Sequence, residues 1–288
     1  MTRKATWFDV ILVAVYTLLA ACFLYPFWHV LISSFSTEAQ LVRGGFMLWP
    51  AEPNTEAYRA VLGSPLIVSS YALTIWRTVV GSTLTVACTF AGAYALSNRN
   101  LPGRGVVTLF VIITMFFSGG LIPTYLLNKS LGLVGNKWVL VLPGLASAWN
   151  VVLARNYLYM QPRELKESAQ MDGAGVFQTL LYIIMPLSMP ILAVLFLFSA
   201  VGHWNAWFDA YIYLYTSKNT VLQMLLRRIL FELTVDPSEF LDILVLKAPP
   251  AKSVTAATVI VTIGPILILY PFLQKYFVKG IMVGSLKG

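Results

Sequence analysis

The sequence predicts an all-α integral membrane protein with six transmembrane helices, on three observations. Of its 288 residues, 58% are hydrophobic and only 11% charged, and the mean hydropathy is +0.75. A soluble domain carries about 25% charged residues, so this chain has too little polar surface to cover a water-facing sphere. Six apolar segments also approach the roughly 20 residues a helix needs to cross a hydrocarbon core of about 30 Å. Finally, one polar stretch rich in small residues, Glu167 to Pro186, stands between two of those segments.

The first span is 10–32. Leu19-Ala20-Ala21-Cys22 has the form of a lipoprotein cleavage box. A cleaved leader has an apolar region of about 7–15 residues, whereas this run continues past the cysteine to Ile32. The reading is a retained helix with Cys22 as a buried small residue. The second span, 79–96, and the fourth, 138–153, are short, and the third is 106–127. The fourth contains Pro143, Gly144, Ser147 and Asn150; so broken a segment is tolerated only where protein or a cavity surrounds it. The fifth and sixth are 183–207 and 253–272. An even number of spans puts both termini on one side. Lys and Arg divide evenly between the two sides, but Arg99, Arg104, Arg155, Lys275 and Lys279 crowd the span ends on the side of the termini. That density makes this side cytoplasmic.

Two external loops remain, 33–78 and 209–252. The first carries Gly44, Gly45, Pro50, Pro53 and Pro65 and reads as an ordered, turn-rich cap. Arg77, just before span two, is expected to snorkel to the headgroups. The second loop places Leu222, Leu225, Leu226, Ile229 and Leu230 at helical spacing, with Arg227 and Arg228 near the polar side. This amphipathic helix lies on the membrane surface or the bundle, or meets an external partner. Ala248-Pro249-Pro250 ends the loop stiffly, and Asp209 at its start is expected to be solvated. With no internal repeat, residues 1–288 read as one membrane domain.

Several function classes drop out. The net charge is +8, but no basic run exists, and basic residues flanking spans follow from topology, so nucleic acid is not a partner. Cys22 and Cys88 both lie in apolar runs, which argues against a disulfide framework. Neither has metal-ligand spacing, and His29 and His203 are lone histidines, so no metal site is expected. No acid pair or nucleophile–base arrangement marks a catalytic centre. An ion-coupled carrier places ionisable residues near mid-membrane, and the span centres are almost free of them.

The element at 160–180 remains. Gln161-Pro162-Arg163-Glu164 is a helix start, with proline early and an acid in the first turn. Leu165, Ser168 and Ala169 share one face, and Asp172-Gly173 breaks the helix. A second helix then runs into span five through Met185-Pro186. On periodicity alone this is a helical hairpin or a knob that enters a cleft in another protein.

The residue order resembles the Glu-Ala-Ala loop of permease subunits in ATP-binding-cassette importers. That loop has Glu-Ala-Ala, three residues, Gly, nine residues, Ile, one residue, Leu-Pro. This chain has Glu167-Ser168-Ala169, three residues, Gly173, nine residues, Ile183, one residue, Met185-Pro186. Ser168 and Met185 depart from the pattern by size-tolerant changes. The span count, this loop, and the ending Gln274-Lys275-Tyr276-Phe277-Val278-Lys279-Gly280 through Lys287-Gly288 are similar to the maltose-transporter type of sugar permease. The stretch His203-Trp204-Asn205-Ala206-Trp207-Phe208-Asp209, with Gly44-Gly45 and Trp49-Pro50, is similar to its oligosaccharide and polysaccharide-fragment subgroup.

The resemblance implies a type I importer permease fold with a cytoplasmic coupling helix, in a bacterial inner membrane. It implies a second permease subunit, two cytoplasmic ABC ATPase subunits and an external solute-binding protein. Glu167, Ser168, Ala169, Asp172 and Gly173 would couple to an ATPase cleft, and the tail from Lys279 would reach the ATPase interface. The chain holds no cofactor, and ATP and Mg belong to the partner ATPase. The absence of any Gly-Lys dipeptide agrees, since no G-x-x-x-x-G-K-[ST] phosphate loop can exist. For the substrate path the candidates are Asn150, Trp204, Asn205 and Trp207, because flat rings and amides suit sugar rings. Trp at a membrane boundary is commonly an interface anchor, and that is the favoured reading of Trp207 from its position alone. The alternatives are a non-sugar solute carried by the same class of permease, and an ion-coupled carrier.

Overall fold

In a computed structural model, the structure describes residues 6–162, 164–214, 220–232 and 252–285, with side chains to residue 230 in the third stretch and to 268 in the fourth. Every regular element among them is helical. The chain divides into two compact units, Met1–Val68 with Leu225–Pro265, and Ser69–Met224 with Ile266–Gly288.

In the first unit, α1 (Trp7–Ser34) is started by Thr6, whose hydroxyl accepts from Asp9 N while the Asp9 carboxylate accepts from Thr6 N at 2.8 Å. That reciprocal cap satisfies two of the donors a helix start leaves open. The helix runs unbroken past Cys22, spans about 42 Å at 1.5 Å per residue, and buries only Ile32, Ser33 and Ser34. Cys22 is therefore exposed, a correction to the buried position expected. A helix apolar all round and exposed along its length has lipid or another chain as its natural surroundings.

The segment after α1 is ordered, as its Gly and Pro content suggests. It holds α2 (Glu38–Arg43) and α3 (Glu56–Gly63). Trp28 Nε1 donates to Leu48 O at 3.1 Å, the Ser34 and Tyr58 hydroxyls bond at 2.7 Å, and Ile32, Leu41 and Met47 pack as a small core. The expected loop 33–78 is nevertheless too long: α4 (Pro65–Ser97) begins at Pro65, well before the expected start of span two. Proline is well placed there, because a first-turn residue has no helical partner for its N–H.

In the second unit, α5 (Arg104–Phe116) and α6 (Leu121–Ser130) form a pair bent by 118°, where one span was expected. The run is interrupted at Ser118-Gly119-Gly120, and glycine is among the weakest helix formers. The fourth expected span is broken as its Pro and Gly foretell. Short 3₁₀ turns at Lys137–Leu140 and Leu142–Gly144 precede α7 (Ala148–Tyr159), with a bend of 48°. Next come α8 (Glu164–Met171), α9 (Val176–Gln178), a π turn over Thr179–Ile184, α10 (Met185–Leu187) and α11 (Met189–Asn205). The segment entering α11 is bent by 82° at Ser188, between Pro186 and Pro190, neither of which has an N–H to continue the ladder. The last helix wholly in this unit is α12 (Phe208–Tyr213); α13 (Leu222–Glu232) and α14 (Lys252–Ser285) each have residues assigned to both units.

By length and composition α1 and α4 are long and apolar enough to cross a membrane, and the number among the described residues rises to five if each of the three bent pairs is one span; the stretch Lys252–Ile268 of α14 is apolar but shorter. The core of the second unit joins Phe90 and Ala93 of α4, Ala154 and Leu158 of α7, Ile184, and Ile191, Leu192 and Leu195 of α11. Ala93 and Ala154 are fully buried. Small residues let helix backbones approach, and in lipid that packing is the main attraction between helices. The expected amphipathic helix is α13, whose Leu222, Leu225, Leu226 and Ile229 are buried and Leu230 exposed. Ala248-Pro249-Pro250 lies outside the described residues, as do Lys287 and Gly288.

Candidate functional site

The knob is built by backbone chemistry. Pro162 precedes α8, whose first turn carries Glu164 and Glu167, favourable at the positive end of a helix. At its other end Ala174 N donates to Ala169 O at 2.9 Å, and Gly173 N to Gln170 O at 3.0 Å. This paired closure needs a left-handed residue between helix and exit, and Gly173 has φ +82. The Gln178 side chain accepts from Gly175 N at 2.9 Å and starts the next helix. The expected helix, bend, helix is thus present, with a π turn as the one unforeseen detail. A wide turn just before Pro186 suits a residue that cannot donate.

Ala169 faces inward at 4% exposure, while Glu167, Ser168, Asp172 and Gly173 are exposed. Behind the knob, Lys166 Nζ lies 3.5 Å from Ser97 Oγ and 4.8 Å from the Tyr94 ring centroid. Burial pushes the Lys166 ammonium below its ordinary value. Gln161 Nε2 donates to Ser188 Oγ at 2.9 Å, and Arg155 Nε to Leu96 O at 3.3 Å. A polar cavity of about 210 Å³, lined by Ser97, Asn98, Arg99, Lys166, Glu167 and Gln170 among others, lies between α8 and the turn after α4. In front, Met171 is 88% and Phe177 78% exposed. Both are large apolar side chains on a polar segment that also exposes Glu167 and Asp172. The sequence reading passed over Met171 and Phe177; the signal was two such residues flanking a glycine bend in a polar segment.

The second group sits at the far end of α11. Trp204 is buried at 4% exposure, its ring edge-on to Tyr71 at 6.3 Å between centroids. It offers no open face in this chain. Asn205 is exposed, and its Oδ1 accepts from Gln223 Nε2 at 3.4 Å. Trp207 is half-buried against Phe208 and Tyr211. Asn150 is half-buried in the first turn of α7, its N–H 3.5 Å from Ser147 Oγ; no hydrogen bond between Asn150 and Asn205 is found among the described residues.

Two expectations are corrected here. Arg77 does not snorkel: it is 3% exposed, and its guanidinium pairs with the Asp209 carboxylate and donates to Ala206 O at 2.9 Å. Asp209, expected to be solvated, holds that ion pair. A buried arginine without a partner would be prohibitive in a span, so its neutraliser had to be found across 132 residues of sequence.

Several helices or bent helix pairs long and apolar enough to cross a membrane, with a glycine-hinged, exposed knob between two of them, define a multi-span membrane protein. More particularly, residues 2–283 match the family described as binding-protein-dependent transport system inner membrane component, and the chain belongs to that family. It is 38% identical over 289 residues to Protein LplC of Bacillus subtilis (strain 168), covering 100% of this chain and 97% of that one. It is 35% identical over 285 residues to the polygalacturonan/rhamnogalacturonan transport system permease protein YtcP of the same organism, covering 99% and 100%. Its structure resembles a chain in the crystal structure of a bacterial ABC transporter involved in the import of the acidic polysaccharide alginate, with TM-score 0.84, 33% identity, and coverage of 96% and 100%. The chain is an inner-membrane permease of a binding-protein-dependent ABC importer, and its family is the transport component rather than the ATPase.

Proposed function

We propose that this permease imports oligosaccharides derived from acidic polysaccharides. The carrying observation is full-length similarity to a polygalacturonan/rhamnogalacturonan permease, together with likeness to the alginate transporter chain. In this reading six spans cross the membrane, the three bent pairs counting as one each and α14 as the sixth, with both termini cytoplasmic. The chain supplies half the translocation path beside a second permease, and an external binding protein delivers the sugar.

Two cytoplasmic ATPase subunits sit beneath, and one receives the knob. Glu167, Ser168, Asp172 and Gly173 meet its cleft, and Ala169 holds α8 to its own bundle. ATP binding shifts an equilibrium between inward- and outward-open states by contacts that differ between them. Because the Gly173 closure fixes the knob's shape, movement of the cleft passes to α11 through α9 and α10. Asn205 and Trp207 face the sugar, Asn150 contributes from α7, and Trp204 backs them from within.

The test is uptake into proteoliposomes holding the whole transporter with its binding protein. Labelled trigalacturonate should enter on ATP addition, and maltotriose should not. Uptake of maltotriose alone would refute the acidic substrate class.

A further inference from the structure

Arg77 carries an inference beyond membership of a transporter. It lies in α4, and both of its partners lie at the exit of α11. One is the carbonyl of Ala206, the residue that ends α11, and the other is the Asp209 carboxylate. The last carbonyls of a helix lack partners and carry its negative dipole end, so a cation there is doubly favoured. Asp209 is held in turn, its Oδ1 accepting from Ala210 N at 2.9 Å.

The bonded residues bracket Trp207, and Ala206 directly follows Asn205. One turn along the same faces, the His203 side chain of α11 packs directly on Gly81 of α4. A Cβ on Gly81 would stand 2.6 Å from His203 Nε2. Gly81 lies four positions after Arg77, and His203 three positions before Ala206, so the two contacts form one seam. The planar guanidinium fork presents its N–H groups in fixed directions, one to the carbonyl and one to the carboxylate, where a lysine ammonium on its flexible stem would not fix the geometry. For stability alone an apolar pair would serve as well, since buried ion pairs often repay little of their desolvation. Arginine also keeps its proton throughout, which excludes a proton-relay role.

We propose that Arg77 is a positioning residue of the transport path. By gripping Ala206 and Asp209 it fixes the break between α11 and α12, so that Asn205 and Trp207 stand in one orientation toward the passing sugar. The proposal rests on the reading that Asn205 and Trp207 line that path.

The test uses the complete transporter in proteoliposomes with labelled trigalacturonate, and compares Arg77→Met, Arg77→Lys, Arg77→Met with Asp209→Asn, and Asn205→Ala. Arg77→Met alone leaves the part-buried Asp209 carboxylate, 29% exposed, without its cation and lowers the yield of assembled complex. The neutral double variant restores assembly yet raises KM about tenfold or more, as expected when contacting groups are displaced. Asn205→Ala added to it has little further effect, since groups acting as a unit are not additive. Arg77→Lys, which keeps the charge but loses the fork, does not rescue KM.

Amide hydrogen exchange reads the same effect without a sugar. In the double variant, exchange across 202–213 rises about tenfold or more while that of α4 is unchanged. A double variant with wild-type KM and wild-type exchange overturns the proposal. If Asn205→Ala is impaired in that case, the failure is confined to Arg77; if it also transports normally, the path reading falls as well.

Discussion

Gly173 offers a perturbation whose magnitude can be worked out and whose interpretation separates two causes. Its φ of +82 is a left-handed conformation, and among the described residues beyond its chain neighbours nothing lies within 4 Å of where a Cβ would sit. Any intramolecular effect of Gly173→Ala therefore comes from backbone strain, which costs about 1–2 kcal/mol for an L residue. That lowers the population of the bent knob by about 5–30-fold against any competing shape. Asparagine tolerates this conformation several-fold better than other residues, so Gly173→Asn should keep most of the closure to Ala169 and Gln170. A β-branched residue does worst there, so Gly173→Val should lose it. The assay is sugar-stimulated ATP hydrolysis by the purified transporter, with retention of the ATPase subunit on gel filtration. The strain account predicts the order Gly, Asn, Ala, Val in coupling. A Gly173→Asn protein as defective as Gly173→Val would show that strain is not the cause and that a partner atom approaches the glycine closely. An Ala variant equal to wild type would refute the reasoning.

Three further outcomes follow from the packing and the knob. Tyr213→Phe removes the hydroxyl that accepts from buried Asn128 Nδ2 at 2.9 Å, and the orphaned amide should cost about 1–3 kcal/mol, read as a lower melting temperature in detergent. Ala154→Leu forces side-chain volume between α4 and α7 where exposure is zero, and overpacking of about 1–3 kcal/mol should lower melting in the same assay. Phe177→Glu places a charge on the exposed apolar front of the knob; it should leave melting unchanged and release the ATPase subunit on gel filtration. A melting loss equal to that of Ala154→Leu would mean that Phe177 supports the bundle instead.

The knob was legible in the sequence because its chemistry is local. Glycine, its neighbours and the proline that follows are all within twenty residues, and each acts on the backbone next to it. The broken fourth span and the amphipathic α13 were legible for the same reason. Arg77 was not. A hydropathy window penalises a charge whether or not it is paired, so Arg77 read as the edge of a span, and fourteen helical residues from Pro65 were assigned to a loop. The residue that neutralises it is 132 positions away, and no local pattern links the two. Trp204 shows the converse limit. Its type and position suit a sugar or an interface equally, and only the fold reveals that its ring is packed against Tyr71.

The most direct test of the central claim is to purify this permease in mild detergent from cells expressing its whole transporter, and to measure ATP hydrolysis in what comes down with it. The account predicts that an ATP-hydrolysing subunit accompanies the wild-type chain, and that it is lost or uncoupled in a Glu167→Ala, Gly173→Pro protein that still melts cooperatively. A wild-type chain that brings down no ATPase under any condition, or a variant that retains a fully coupled one, would contradict it.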